Sequence, residues 1–166
     1  MTLTTKEVLI AQFSASIDQP NWFVPLKNVL AEVTRSQAMK KVGAENSIWE
    51  IVAHLTFWND RYLQRFKGNQ LEESMISSND DTFTFLEEGE DSWRRAVEKL
   101  LFVMEDWRNT LKNADDEKLE SRVRPDLEGD WNTTIANINI HNSYHIGQIL
   151  HNLKQQGVWN PKNGVH

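Results

Sequence analysis

The sequence predicts an all-α fold, a four-helix bundle with up-down-down-up order, and three observations carry that prediction. Four long segments repeat apolar residues with a helical period, two of them behind capping boxes. Chain breakers are sparse, with 7 Gly and 4 Pro, and most fall between those segments. One linker, residues 68–89, is much longer than two antiparallel neighbours need. It suits a crossover that returns the chain along the bundle and makes the helices on either side of it parallel.

In chain order, Thr4-Thr5-Lys6-Glu7 has the form of a capping box, with Thr4 as N-cap, and Val8, Leu9, Gln12, Phe13 and Ile17 follow at helical spacing. This first helix is expected to end near Ser16, where Asp18-Gln19-Pro20-Asn21 breaks it. Trp22, Leu26, Val29, Leu30 and Val33 then resume a 3.6-residue period, with Pro25 tolerable only in a first turn. That pattern predicts a short helix or a kinked continuation. Ser47-Ile48-Trp49-Glu50 is a second capping box, and Ile48, Ile51, Val52, Leu55, Trp58, Tyr62 and Phe66 share one face up to Gly68. Residues 68–89 are polar and aperiodic. Trp93, Val97, Leu100, Met104, Trp107 and Leu111 predict a third main helix from about Glu90 to Asn113. After Pro125, residues 132–156 carry Ile135, Ile138, Asn142, Ile146, Ile149 and Leu153 on one stripe, closed by Gly157.

At 166 residues the chain fits one domain, 1–166, large enough for a core without staples. A net charge of −6 argues against a phosphate-backbone partner, since that affinity rests on clustered Lys and Arg, so no nucleic acid is expected. No apolar run approaches the roughly 20 residues that span a bilayer, and the start of the sequence lacks a signal-peptide pattern. No membrane partner is therefore expected, and the expected location is cytoplasmic. Cysteine is absent, which excludes thiolate sites and nucleophiles from the chain itself and leaves nitrogen and oxygen to hold any metal.

His141 and His145 stand four residues apart in a predicted helix, so they lie about 40° apart around the axis and about 6 Å along it, and both rings can reach one point. They belong to a stripe of Thr134, Ile138, His141, His145, Gln148 and Asn152 at the edge of the apolar face. His54 is in register with Ile51 and Trp58 and points inward as well. Three neutral imidazoles suit Zn²⁺, Ni²⁺, Fe²⁺ or Cu²⁺ and leave coordination positions free, as catalytic sites do. Spacing alone leaves the alternative open of three hydrogen-bonded core histidines without metal. His151 and His166 are expected at the surface.

Ile51-Val52-Ala53-His54-Leu55-Thr56-Phe57-Trp58-Asn59 and His141-Asn142-Ser143-Tyr144-His145-Ile146-Gly147-Gln148-Ile149 resemble the signatures of the DinB/YfiT-like family. The resemblance extends over the whole chain. It implies an up-down-down-up bundle and a divalent metal, often nickel or zinc, held by three histidines that map onto His54, His141 and His145. Similar proteins include thiol-dependent transferases and isomerases that use bacillithiol, mycothiol or glutathione, and homodimers are common among them. The family label implies no nucleic-acid binding.

The expected function is thus a metal-dependent enzyme, a thiol-dependent S-transferase or a hydrolase, in which the metal activates a thiolate or water against a small-molecule electrophile. Its cofactors would be the divalent metal and a low-molecular-weight thiol cosubstrate. The alternative is a non-catalytic metal-binding or stress-related protein. Gln148 and Asn59 are the candidate catalytic groups, with Glu50, Trp58 and Asn142 as further groups that could orient the rings or line the open face. Against this stand ordinary roles: Glu50 in its capping box, Trp58 in the core, the amides satisfying buried polar groups. The 68–89 segment is a candidate lid. Seven Trp exceed what one small core needs, and the surplus, with the resemblance, predicts a homodimer.

Overall fold

The main helices begin where the sequence satisfies their first backbone N–H groups. The computed structural model describes residues 2–72, 76–126 and 128–165. Its elements are α1 (Thr5–Ile17), α2 (Leu26–Leu30), α3 (Arg35–Met39), α4 (Ile48–Phe66), a 3₁₀ turn (Asn79–Thr82), α5 (Ser92–Asn113), α6 (Asp116–Glu120), α7 (Trp131–Gln155) and a last 3₁₀ turn (Pro161–Asn163). Both expected capping boxes form: Thr4 and Ser47 each accept from the backbone N–H of Glu7 and Glu50, whose carboxylates accept from the cap N–H groups at 2.7 Å. Asp130 caps α7 through the N–H of Thr133. Gly68 and Gly157 follow α4 and α7 with φ of 78° and 73°, the left-handed exit that glycine adopts without strain.

Contacts between the four long helices fix their directions. Trp49 meets Trp93 near the starts of α4 and α5, and Lys67, just past α4, pairs with Asp106 further along α5, so these two run parallel. Lys6 donates to the carbonyl of Ala114 while Asp18 pairs with Arg108, which sets α1 antiparallel to α5. Asn139 reaches Leu9 and Gln12, and Ser143 reaches Ser16, so α1 and α7 run parallel. Phe66 packs on Trp131 and Asn46 accepts from Asn152, so α4 and α7 are antiparallel. The order is up-down-down-up, as the sequence predicts. Phe13, Trp49, Leu55, Trp107, Trp131 and Leu100 fill the interior between the four.

Several expectations need correction. Trp22 is fully exposed rather than part of a helical stripe. The Asn21 amide donates to the carbonyls of Ala15 and Gln19 and accepts from the N–H of Phe23, a turn that holds residues 21–23 off the helix path. Pro25 is the N-cap of α2, outside its first turn; of the two alternatives expected for this stretch, the short separate helix is the one that forms. On α4 the buried row continues through Asn59 and Leu63, while Trp58 and Tyr62 are half-buried at its edge. The short helices α3 and α6 have no counterpart in the sequence reading. Their five residues each are too few to show a period.

Within the 68–89 segment, Glu73–Met75 lie outside the described residues, as does His166. Most of the described part is exposed, but some of its side chains pack on α4. Phe85 stacks on Trp49 at 4.3 Å with the rings 9° from parallel, and the side chain of Thr82 is buried against α4. Among the described residues no helix is long and apolar enough to cross a membrane.

Candidate metal centre

Antiparallel packing of α4 on α7 brings the three histidines to one place. His54 and His145 are buried and His141 is half-buried. Nε2 of His54 lies 3.0 Å from Nε2 of His141, and one ring nitrogen from each of the three can be chosen so that all lie within 4.8 Å of one another. The ring centroids are 4.5–5.0 Å apart. Two nitrogens bound to one metal at about 2.0–2.1 Å each stand about 2.9–3.4 Å apart, so the His54–His141 spacing fits a shared divalent ion. Among the described residues no carboxylate joins the cluster.

Hydrogen bonds fix two of the rings. The hydroxyl of Thr82 donates to the carbonyl of Asn79 at 2.6 Å and lies 2.5 Å from Nδ1 of His54. A hydroxyl has one proton to give, so it accepts from Nδ1–H, and Nε2 of His54 is left with its lone pair turned to the cluster. Nδ1 of His145 lies 2.6 Å from Oε1 of Gln148, whose amide nitrogen donates to the Tyr144 hydroxyl at 3.1 Å. An amide oxygen only accepts, so this ring also carries its proton on Nδ1. Phe83 lies over His54 at 3.9 Å, 8° from parallel, and closes one face of the ring to water.

Burial makes all three imidazoles poor bases. It is the largest influence in each case, because a charged ring loses its hydration there. His54 is pushed down to about 3, with His145 and then His141 adding to the burial effect. His141 is pushed down to about 4 by burial and by His145. His145 is lowered by burial against the opposing effect of its hydrogen bond to Gln148. At neutral pH the cluster is therefore uncharged, the state in which imidazole ligates a metal.

Beside His141 lies a cleft of about 360 Å³, walled by Trp58, Tyr62, Asn79, Thr134 and Ile138. Trp58 serves this wall rather than the core, its indole N–H donating to Oδ1 of Asn79. Gln148 sits where the sequence reading put it, on the histidine stripe and in contact with His145. Asn59 touches the cleft, but its amide is engaged elsewhere: it exchanges two hydrogen bonds with Asn142, at 2.7 and 3.0 Å, and donates to the carbonyl of Leu55. Glu50 is held in its capping box and by Lys41. His151 is exposed. Thr82 and Phe83 are the contacts that sequence reasoning missed. The signal available was the alternation Thr82-Phe83-Thr84-Phe85 in an otherwise polar segment.

Three neutral imidazoles converging between antiparallel helices of an all-α bundle define a protein equipped to coordinate a divalent metal. The chain belongs to the DinB superfamily, whose family model matches residues 25–149, a span that holds all three histidines. No curated protein and no solved structure matches the chain.

Proposed function

We propose that the protein is a divalent-metal-dependent enzyme acting on a small molecule, with nickel or zinc held by His54, His141 and His145. The observation that carries this reading is the open geometry. Three neutral nitrogens meet at a point where one ligand, His141, also forms the wall of a cleft, and among the described residues no further His, Asp or Glu joins the set. When bound there, the metal would supply Lewis acidity toward water, a thiolate or a substrate oxygen. The protein's own part is to keep the rings neutral, fix their orientation through Thr82 and Gln148, and shield His54 with Phe83. The reaction follows as transfer of a thiol to a small electrophile or hydrolysis of one, with a low-molecular-weight thiol as cosubstrate in the first case. The 360 Å³ cleft is of the size that takes such a molecule.

Metal analysis of untagged protein tests the centre: close to one equivalent of transition metal is expected after reconstitution, and less than about one-tenth would refute it. The metallated protein is then screened with several small thiols and a generic electrophile beside His141→Ala. A rate no higher than that of the variant would leave a non-catalytic metal-binding protein as the better description. A homodimer is part of the proposal, supported by Ile140 and Tyr144, exposed one turn apart on α7. A light-scattering mass near the 19.3 kDa of one chain would exclude it.

A further inference from the structure

The hydrogen bonds around the cluster are unequal, and that inequality has a consequence for the path by which a metal enters. His54 and His145 each have a protein acceptor on Nδ1, whereas Nδ1 of His141 has none among the described residues. A neutral imidazole has one ring proton. With the proton of His54 on Nδ1, its Nε2 presents a lone pair to Nε2 of His141 at 3.0 Å. Two lone pairs at that distance repel, so without metal His141 must carry its proton on Nε2 and donate it to His54. A metal needs that same nitrogen bare.

We propose that Thr82 and Gln148 keep His54 and His145 permanently in the metal-ready tautomer, and that His141 alone relocates its ring proton, from Nε2 to Nδ1, when a metal ion enters. The move is balanced: Nε2 releases one proton to water, Nδ1 takes one from water, and the ring stays neutral. His141 is suited to it because it is the half-buried member of the three and faces the cleft, where water reaches it. Thr82 is thereby a positioning residue, acting on the site through His54 from a segment outside the four long helices. The relocation step rests on the metal-dependent reading above; the metal-free tautomers do not.

The test is a long-range ¹H–¹⁵N spectrum of the histidine side chains in full-length, ¹⁵N-labelled, metal-free protein at pH 7, repeated with one equivalent of zinc chloride. Expected are protons on Nδ1 of His54 and His145 and on Nε2 of His141, with only His141 switching to Nδ1 on zinc addition. Thr82→Val, which keeps the shape and removes the hydroxyl, should weaken the Nδ1 preference of His54 and lower zinc affinity about tenfold to a hundredfold, measured by chelator competition. Thr82→Ser should restore both. His54 protonated on Nε2, His141 already protonated on Nδ1 without metal, or a Thr82→Val spectrum and affinity identical to the parent would each overturn the proposal. Failure of the parent to take up zinc would overturn the metal reading and the relocation step with it, while the metal-free spectra still decide the role of Thr82. Should Thr82→Val not fold, the parent spectra alone carry the decision.

Discussion

Asn59→Ala should destabilise the metal-free protein more than Asn142→Ala, although the two residues share the same pair of hydrogen bonds. Both side chains are fully buried, so whatever loses its partner stays without one. Removing the Asn59 amide strands two polar atoms, Oδ1 and Nδ2 of Asn142, which have no other protein partner among the described residues. Removing the Asn142 amide strands only Oδ1 of Asn59, because its Nδ2 still donates to Leu55 at 2.8 Å. An orphaned buried group costs about 1–3 kcal/mol, which gives about 3 kcal/mol for the first variant and about 2 kcal/mol for the second. The double variant strands neither amide and leaves mainly a small void, at about 2 kcal/mol, so the two changes should be coupled by about 3 kcal/mol. Trp107 is not affected directly, since its indole donates to the backbone carbonyl of Asn59. Urea unfolding of all four proteins at pH 7 measures the cycle, and thermal midpoints should drop by about 2–4 °C per kcal/mol for a chain of this size. A double variant that costs the sum of the singles, or Asn142→Ala as the worse of the two, would refute the reasoning.

Zinc at about a thousand times its dissociation constant should add about 4 kcal/mol to the folded state, seen as a raised melting temperature that a chelator reverses. His54→Ala and His141→Ala should each abolish the increment. Because burial lowers all three histidines, the unfolded chain binds their protons first as pH falls below 6.5, while the folded chain resists, His141 down to about 4 and His54 down to about 3. Stability from this source is therefore full above pH 6.5 and declines as pH falls; urea midpoints at pH 7, 6 and 5 should fall, less so in His54→Phe. Trp22→Ala should change stability by less than about 0.5 kcal/mol, since the residue is fully exposed, whereas Trp131→Ala should cost about 3–5 kcal/mol; both are read from chemical unfolding.

What could be read in the sequence is what local physics determines. Thr4 with Glu7 and Ser47 with Glu50 announce helix starts because both halves of each capping box lie within one turn. His141 and His145 share a face because the helix itself sets their spacing. Trp22 falls off the stripe its spacing predicts because a 3.6-residue period does not register that Asn21 has already closed a turn onto Ala15. Trp58 takes the edge of the α4 face and Asn59 the core, against the apolar stripe, because one residue is about 100° on a helix, enough to swap edge for core. Asn59 is buried only because Asn142 arrives from a helix 83 residues away to pair with it.

The crossover segment shows why the rest was hidden, and also why it should have been expected to matter. With α4 and α5 parallel, the chain must travel back along the full length of α4, 19 residues or about 28 Å, before α5 can begin. Its contacts record that direction of travel: Thr82 meets His54, and Phe85, three residues later, meets Trp49 near the start of α4. A segment that runs back along α4 can follow the flank that carries His54, and here it does, with Thr82 and Phe83 against that ring. The topology therefore brings a loop to the histidine, and the Thr82 hydroxyl and Phe83 ring turn that proximity into control of one nitrogen's proton and one face's exposure to water. Periodicity marks the two helices, and the length of the linker between them implies that they run parallel. Neither says which loop residue comes to rest beside His54, because that choice is made by tertiary packing over 28 residues of sequence separation.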